Sequence, residues 1–242
     1  MYAIKTENLT KKYRDTVAVR GLSLCVHRGE LLSLLGVNGA GKTTAIKMLS
    51  CLCIPTEGEA FLLGKSVRRE ADLIKREIGV SPQETAVAPR LSVRENLELM
   101  CGVHGFDRSK SEEKIAELTE LLGLREVLGR RAGRLSGGWQ RRLSIAMALI
   151  GEPKILFLDE PTLGLDVLVR RELWDIIRRM KGKTTIILTT HYMEEAEALS
   201  DRIAIMKSGE LIICDTAQNI KAAAGEDDFE QAFITMAQGV KK

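Results

Sequence analysis

Gly36-Val37-Asn38-Gly39-Ala40-Gly41-Lys42-Thr43 places two glycines, a lysine and a threonine at the spacing G-x-x-x-x-G-K-[ST]. Glycines let a backbone curl until successive N–H groups converge on phosphate oxygens. The lysine then meets the β- and γ-phosphates of a nucleotide, and the threonine hydroxyl suits Mg2+. A second group is Ile155-Leu156-Phe157-Leu158-Asp159-Glu160, an apolar run that delivers two adjacent carboxylates at its C-terminal end. That is where ligands bind in open α/β sheets. Asp159 suits the Mg2+ shell through water, because Mg2+ keeps several of its waters. Glu160 suits polarising an attacking water, and hydrolysis of a phosphoanhydride asks little more of a protein than positioning and charge stabilisation. A third group, Leu135-Ser136-Gly137-Gly138, runs through Trp139-Gln140-Arg141-Arg142 into a helical pattern. Opening a helix, it offers a hydroxyl and backbone N–H groups to an anion.

These groups need elements to hold them. Leu31-Leu32-Ser33-Leu34-Leu35, Ile78-Gly79-Val80, Ile155 to Leu158 and Thr185-Ile186-Ile187-Leu188 are short, continuous apolar runs. Runs of that kind suit strands buried on both faces of a parallel sheet. Helical patterns over 42–52, 167–180 and 193–199 lie among them, and strand–helix alternation means an α/β core. From 93 to 150 the period is helical throughout: Leu97, Leu99 and Met100 belong to one helix, Ile115, Leu118, Leu121 and Leu122 to a second, and Leu143, Ile145, Ala146 and Leu149 to a third. This predicts a helical subdomain inserted into the core. The first twenty-odd residues and 59–63 read as strands of a smaller antiparallel sheet. After Cys214 the pattern weakens, until Glu226-Asp227-Asp228 leads into a last helix over 229–236.

The composition narrows the field. At 242 residues, 45% hydrophobic and 29% charged, the chain can bury a real core as one large or bilobal domain. A net charge of +3 is too small to imply nucleic acid by itself. Arg130, Arg131, Arg134, Arg141 and Arg142 cluster near the third group, but without interleaved aromatics they read as a solvated helix surface with acidic partners. No stretch reaches the roughly 18 apolar residues of a membrane span. Residues 1–10 carry Lys5 and Glu7 and no signal core, so the chain is expected to begin and stay in the cytoplasm. Five scattered cysteines argue against a disulfide framework, and Cys51-x-Cys53 lacks the second pair a metal site needs.

Together the three groups resemble the ABC-type ATPases, and further marks fall in that family's order over most of the chain. Tyr13 stands where the family places an aromatic that stacks on adenine. Gln83, in Ser81-Pro82-Gln83, resembles the glutamine that joins the core to the helical subdomain and reaches the metal. Leu163-Gly164-Leu165-Asp166 resembles the loop that follows the carboxylate pair, and His191, in Thr189-Thr190-His191, the histidine on the γ-phosphate. Singly, each has a plainer reading: a surface tyrosine, a loop glutamine, a strand-end histidine, and for Ser136 an ordinary helix cap. Their order outweighs these.

The resemblance implies a fold with a RecA-like P-loop core, a small antiparallel β-subdomain and an inserted helical subdomain at about 84–150. These would form an ATPase domain over 1–220, followed by a helical tail over 221–242. It implies ATP contacts from Tyr13, Asn38, Gly39, Ala40, Gly41, Lys42, Thr43, Thr44 and Asp166, and metal contacts from Thr43, Gln83 and Asp159. Catalysis would rest on Glu160, His191, Gln83 and Lys42. Ser136, Gly137 and Gly138 would close over ATP held by a second ATPase subunit, a copy or a related chain, in a two-fold head-to-tail sandwich. The family signature has Gln directly after Ser-Gly-Gly; here Trp139 stands there and Gln140 follows. The run Thr190-His191-Tyr192-Met193-Glu194-Glu195 resembles ATPase subunits of drug-resistance and related exporters. That implies a separate transmembrane permease docked near 84–105, a place on the inner face of the membrane, and no nucleic-acid partner. The alternative is a soluble ABC-type ATPase in a non-transport role such as iron–sulfur cluster assembly.

Overall fold

The computed structural model describes residues 1–238. The end of the expected tail, 239–242, lies outside the described residues. The chain forms two compact units, one of residues 1–75 together with those from 181 onward, the other of residues 76–180.

The first unit opens with β1 (Tyr2–Tyr13), β2 (Thr16–Leu22), β3 (Cys25–His27), β4 (Leu31–Leu35), α1 (Lys42–Leu49), β5 (Glu57–Leu62), β6 (Lys65–Ser66) and α2 (Ala71–Lys75). β1 pairs antiparallel with β2, β3 and β5, and β5 with β6, which makes the expected small antiparallel sheet. Register shifts along β1 let one long strand serve β3 with its first residues, β5 from Ile4 to Thr10 and β2 from Leu9 onward. All five residues of β4 are buried. α1 stops at Leu49, short of the residue 52 that the apolar pattern suggests. Ser50 Oγ donates back to the Ile46 carbonyl at 2.8 Å and Cys51 turns to φ +58°. Both act against helix propagation.

The second unit holds β7 (Ile78–Ser81), α3 (Val93–Val103), α4 (Arg108–Leu121), α5 (Gly137–Leu149), β8 (Ile155–Asp159) and α6 (Val167–Met180). β7 and β8 run parallel, Ile78 opposite Ile155 and Ser81 opposite Leu158. Ser92 and Glu95 close a capping box at the start of α3. Asn96, fully buried, accepts from the Ala88 N–H at 2.8 Å and donates to the Ser92 carbonyl at 2.8 Å, which folds the irregular segment before α3 onto the helix. Val93, Leu97 and Cys101 of α3, Ile115 and Leu118 of α4, and Leu143, Ile145, Ala146 and Leu149 of α5 are buried, as a 3.6-residue period requires. α5 lies so close to β7 that a Cβ on Gly79 would stand 2.2 Å from the Ala148 carbonyl oxygen.

The chain then returns to the first unit as β9 (Thr185–Thr190), α7 (Met193–Leu199), β10 (Arg202–Lys207), β11 (Glu210–Asp215), α8 (Ala217–Ala224) and α9 (Phe229–Gln238). β4 pairs in parallel with β9 on one side and β10 on the other, and β11 adds antiparallel to β10. Ala196 of α7, Ile220 of α8, and Phe229, Ala232, Phe233 and Met236 of α9 pack against Leu35, Ile203 and Ile205. Neither the short α2 nor α8 is anticipated by periodicity; each has a single buried residue, Ile74 in α2 and Ile220 in α8. Among the described residues no helix is long and apolar enough to cross a membrane.

Candidate functional site

In the first unit the segment 36–43 leaves β4 and enters α1. A Cβ on Gly36 would lie 2.4 Å from the Met206 carbonyl oxygen, so the turn passes β10 with no room for a side chain. Gly41 caps α1 at φ +100°, and a Cβ there would meet the Ala18 carbonyl at 2.4 Å. Left-handed turns in such a loop bring consecutive N–H groups to face one point, the geometry that captures phosphate. Lys42 is buried inside this curl, its Nζ donating to the carbonyls of Gly36 at 2.7 Å and Val37 at 3.3 Å. Val37, Asn38 and Gly39 are exposed, whereas Ala40 is buried and its carbonyl accepts from Gly209 N–H at 3.1 Å. Thr43 and Thr44 are half-buried on the first turn of α1.

β9 delivers His191 to the same place. Leu35 stands opposite Thr190 in the parallel ladder, and the Gly36 N–H donates to the Thr190 carbonyl at 3.4 Å. His191 is therefore the next residue beyond the strand end that touches the loop. Its ring lies 4.2 Å from that of Tyr192, and Thr190 Oγ1 holds the Tyr192 N–H at 3.0 Å. Tyr13 sits elsewhere in the unit, at the tip of β1. Its ring is half-exposed, its hydroxyl donates to Cys53 Sγ at 3.8 Å, and Lys11 Nζ lies 5.1 Å from the ring centre.

The second unit collects the other residues. β7 and β8 end side by side, so Pro82-Gln83 and Asp159-Glu160 leave neighbouring strands in equivalent positions. Gln83 is exposed, while Asp159 and Glu160 are buried. Glu160 adopts φ +48°, a left-handed conformation uncommon outside glycine. Such a residue costs on the order of 1–3 kcal/mol and is tolerated where surrounding structure demands it, often at active sites. The Leu163 N–H closes the turn onto the Glu160 carbonyl at 3.2 Å. Asp166 Oδ1 accepts from the N–H groups of Leu168 and Val169, both at 3.0 Å, and so caps α6.

Ser136 occupies the N-cap position of α5, yet its side chain makes no capping hydrogen bond. The ordinary-cap reading of this serine therefore lacks the bond that would justify it. Ser136 and Gly137 are exposed. A Cβ on Gly138 would stand 2.7 Å from Val169 Cγ1, so glycine is needed to seat α5 against α6. Arg141 departs from the solvated surface with acidic partners that the sequence suggests, while Arg142 has the acidic partner but is largely covered. Arg141 is buried, its Nη1 and Nη2 donating to the carbonyls of Pro82 and Gln83, each at 2.6 Å. The missed signal is its place three, four and seven residues before Ser144, Ile145 and Ala148, on the face that packs inward. The guanidinium of Arg142 pairs with Glu172 and lies 5.0 Å from the Trp139 ring centre.

Trp139, at the fifth signature position, is thus engaged within its own subunit. A cation–π contact at a half-exposed site contributes about 0.5–1 kcal/mol. Trp139→Gln is expected to lower stability by about that amount in chemical denaturation. Steady-state ATP turnover should stay within about threefold of the parent, since a factor of three corresponds to well under 1.4 kcal/mol. A larger loss of turnover would mean that the indole acts on nucleotide directly.

The ABC transporter family model matches residues 19–163, more than half of the chain. Phospholipid-transporting ATPase ABCA3 of Homo sapiens is 41% identical over 226 residues, which cover 92% of this chain and 13% of that protein. The daunorubicin/doxorubicin resistance ATP-binding protein DrrA of Streptomyces peucetius is 41% identical over 226 residues, 93% of this chain and 68% of that one. The chain therefore spans a small fraction of the first relative and about two thirds of the second. A solved dimer of an ATP-binding cassette in a post-hydrolysis state with ADP and Pi superposes with a TM-score of 0.81. The overlap covers 88% of this chain and 98% of that one at 27% identity. The α/β core, antiparallel sheet and helical elements are those of such ATPase domains.

Proposed function

The chain belongs to the ABC transporter family of ATP-binding proteins, and from that membership we propose that it hydrolyses ATP in a paired ATPase that drives export through a separate membrane permease. The observation that carries the reading is the phosphate-type loop with Lys42 buried in its curl, beside the strand end that presents His191. On this reading Asn38 to Thr44 cradle the phosphates, Lys42 neutralises the β- and γ-oxygens, Tyr13 stacks on adenine and His191 contacts the γ-phosphate. Thr43, Gln83 and Asp159 offer only oxygen donors, the hard ligands that suit Mg2+ when phosphates and waters complete its shell. Mg2+ held by these residues would offset the negative charge of the phosphates. Glu160 accepts the hydrogen bond of the attacking water, and Ser136, Gly137 and Gly138 close on the ATP of the partner subunit, with Asp166 at the same junction.

The same reading assigns 1–220 to the ATPase domain, about 84–150 to its inserted helical part and 221 onward to the tail. The permease is read as docking along 84–105, which keeps the subunit at the inner face of the membrane. Leu99 and Val103 stand four residues apart on α3 and are both well exposed, an apolar pair that a docked helix would cover. Export is favoured over import by the kinship to a drug-resistance ATP-binding protein and a phospholipid-transporting ATPase.

Leu99→Asp with Val103→Asp is expected to lower the fraction of the chain sedimenting with membranes of the producing cell by about tenfold or more, since burying unpaired carboxylates costs over 1.4 kcal/mol. Basal ATP hydrolysis of the purified variant should remain. A chain that never sediments with membranes, parent or variant, favours the soluble ATPase. Loss of membrane sedimentation and of ATP hydrolysis together counts against this docking face.

A further inference from the structure

One edge of α5 is fastened to the end of β7 at three successive levels. Arg141 donates to the carbonyls of Pro82 and Gln83, both at 2.6 Å. One turn on, Ser144 Oγ and Ser81 Oγ are 2.9 Å apart. One further turn on, the Ala148 carbonyl lies where a side chain on Gly79 would be. The two lower levels already dock the helix with small neutral groups. The upper one uses the guanidinium of a residue that is 5% exposed, and burying a charge is costly unless its partners are well placed. Burial pushes the Arg141 pKa down, and the negative charge of Asp159 opposes that shift. Asp159 follows Leu158, which stands opposite Ser81. The guanidinium thus binds the first residues beyond β7 and senses the carboxylate at the end of β8, and it is rooted one turn into the helix that Ser136-Gly137-Gly138 opens.

We propose that Arg141 is a positioning residue for hydrolysis: its two hydrogen bonds hold the backbone of Gln83 in fixed relation to Asp159 and tie that relation to the Ser136 segment on the same helix. This rests on the reading that Gln83 and Asp159 serve the metal of bound ATP. Arg141 touches neither substrate nor metal in this scheme; it determines where the Gln83 side chain starts from. Misplacing a catalytic group by about 1 Å costs on the order of 10²-fold in rate. Loss of both bonds in Arg141→Met should therefore reduce kcat by about that factor. Arg141→Lys keeps the charge and one point donor but not the fork, so an intermediate loss of about tenfold is expected.

The test compares Arg141→Met, Arg141→Lys and Ser144→Ala with the parent in four measurements: ATP turnover, Mn2+ affinity of the ATP-loaded protein by paramagnetic resonance, ATP affinity without metal, and Tm. The proposal expects kcat and Mn2+ affinity to fall in the order parent, Lys, Met. Metal-free ATP affinity should stay within about twofold, because the phosphate loop makes none of these bonds, and Ser144→Ala should behave as the parent. If the arginine variants keep parental kcat and Mn2+ affinity, or lose them only to the extent that Ser144→Ala does at equal loss of Tm, the positioning role is overturned. A parent that binds no Mn2+ with ATP overturns the underlying reading, and the proposal with it. Parental Mn2+ binding with unaffected variants overturns the proposal alone.

Discussion

Glu160→Gln is expected to reduce ATP turnover by about 10²–10⁴-fold, the usual contribution of a general base, while ATP affinity stays near the parental value. In hydrolysis the water oxygen bonds to the γ-phosphorus as the bond from that phosphorus to the bridging oxygen breaks. ADP departs with the electron pair, and the water must shed a proton. A carboxylate accepts that proton's hydrogen bond; the amide oxygen of glutamine accepts one too, but far less basically. The substitution is isosteric, so it tests chemistry rather than packing. This matters at Glu160, which is buried and held at φ +48°. Glutamine faces the same backbone cost as glutamate, so stability should change little. With hydrolysis stalled, ATP should hold two chains together, visible in size-exclusion chromatography as a dimer that forms with ATP and not with ADP. Adding Ser136→Phe should abolish that dimer, because Ser136 is exposed and its hydroxyl is not spent on capping its own helix. A Glu160→Gln chain that turns over ATP at the parental rate would remove Glu160 from the mechanism. One that binds ATP but stays monomeric would move the pairing to a different ATPase subunit or to the permease.

That strained glutamate was legible in sequence only as chemistry. An apolar run ending in Asp159-Glu160 announces a strand and two carboxylates, but nothing in the residue types says that the chain turns left-handed at the second. The parts of the fold read most directly are those where one force dominates. β4, β8 and β9 are buried on both faces and so are continuous apolar runs. α6 and α7 carry helical periodicity with the limits found here. Where several weak forces compete, periodicity failed. α8 is bounded by a Thr216 cap and a left-handed Gly225, both visible as residue types, but it buries little, so its apolar pattern is faint. α1 ends before the residue 52 that its apolar pattern reaches because a serine side chain and one left-handed cysteine stop it. Arg141 was misread for a different reason. Its charge points to exposure, whereas its position on the inward face of α5 argues for burial with partners. Tyr13, Gln83 and His191 carry no local pattern at all; only their order along the chain distinguishes them, and only the parallel pairing of β4 with β9 gives one of them, His191, a physical reason to be near the phosphate loop.

Lys42→Met should separate binding from folding. Lys42 is 5% exposed, and its Nζ donates to the Gly36 and Val37 carbonyls, at 2.7 and 3.3 Å. Holding a desolvated ammonium there is unfavourable, and the hydrogen bonds to these carbonyls offset part of that cost. Methionine matches the length and flexibility of the lysine stem and carries no charge. Its introduction leaves two carbonyl acceptors short of a donor but removes the buried charge. These changes oppose each other, so the stability of the protein alone should shift by no more than about 1–2 kcal/mol in either direction. ATP binding has no such compensation. A lysine bridging β- and γ-phosphate oxygens makes charge-assisted hydrogen bonds worth about 1.5–3 kcal/mol each, so losing two corresponds to a drop in affinity of about 10²–10⁴-fold. Lys42→Arg should not restore it, because a planar fork is larger than a point ammonium and the curl formed by Gly36, Gly41 and the Ala18 carbonyl has no slack. Calorimetric titration with ATP beside urea denaturation of the same samples reads both quantities. A lysine that merely braces the loop would show the reverse pattern, with stability lost and nucleotide affinity retained in whatever protein stays folded, and that result would remove Lys42 from the phosphate site.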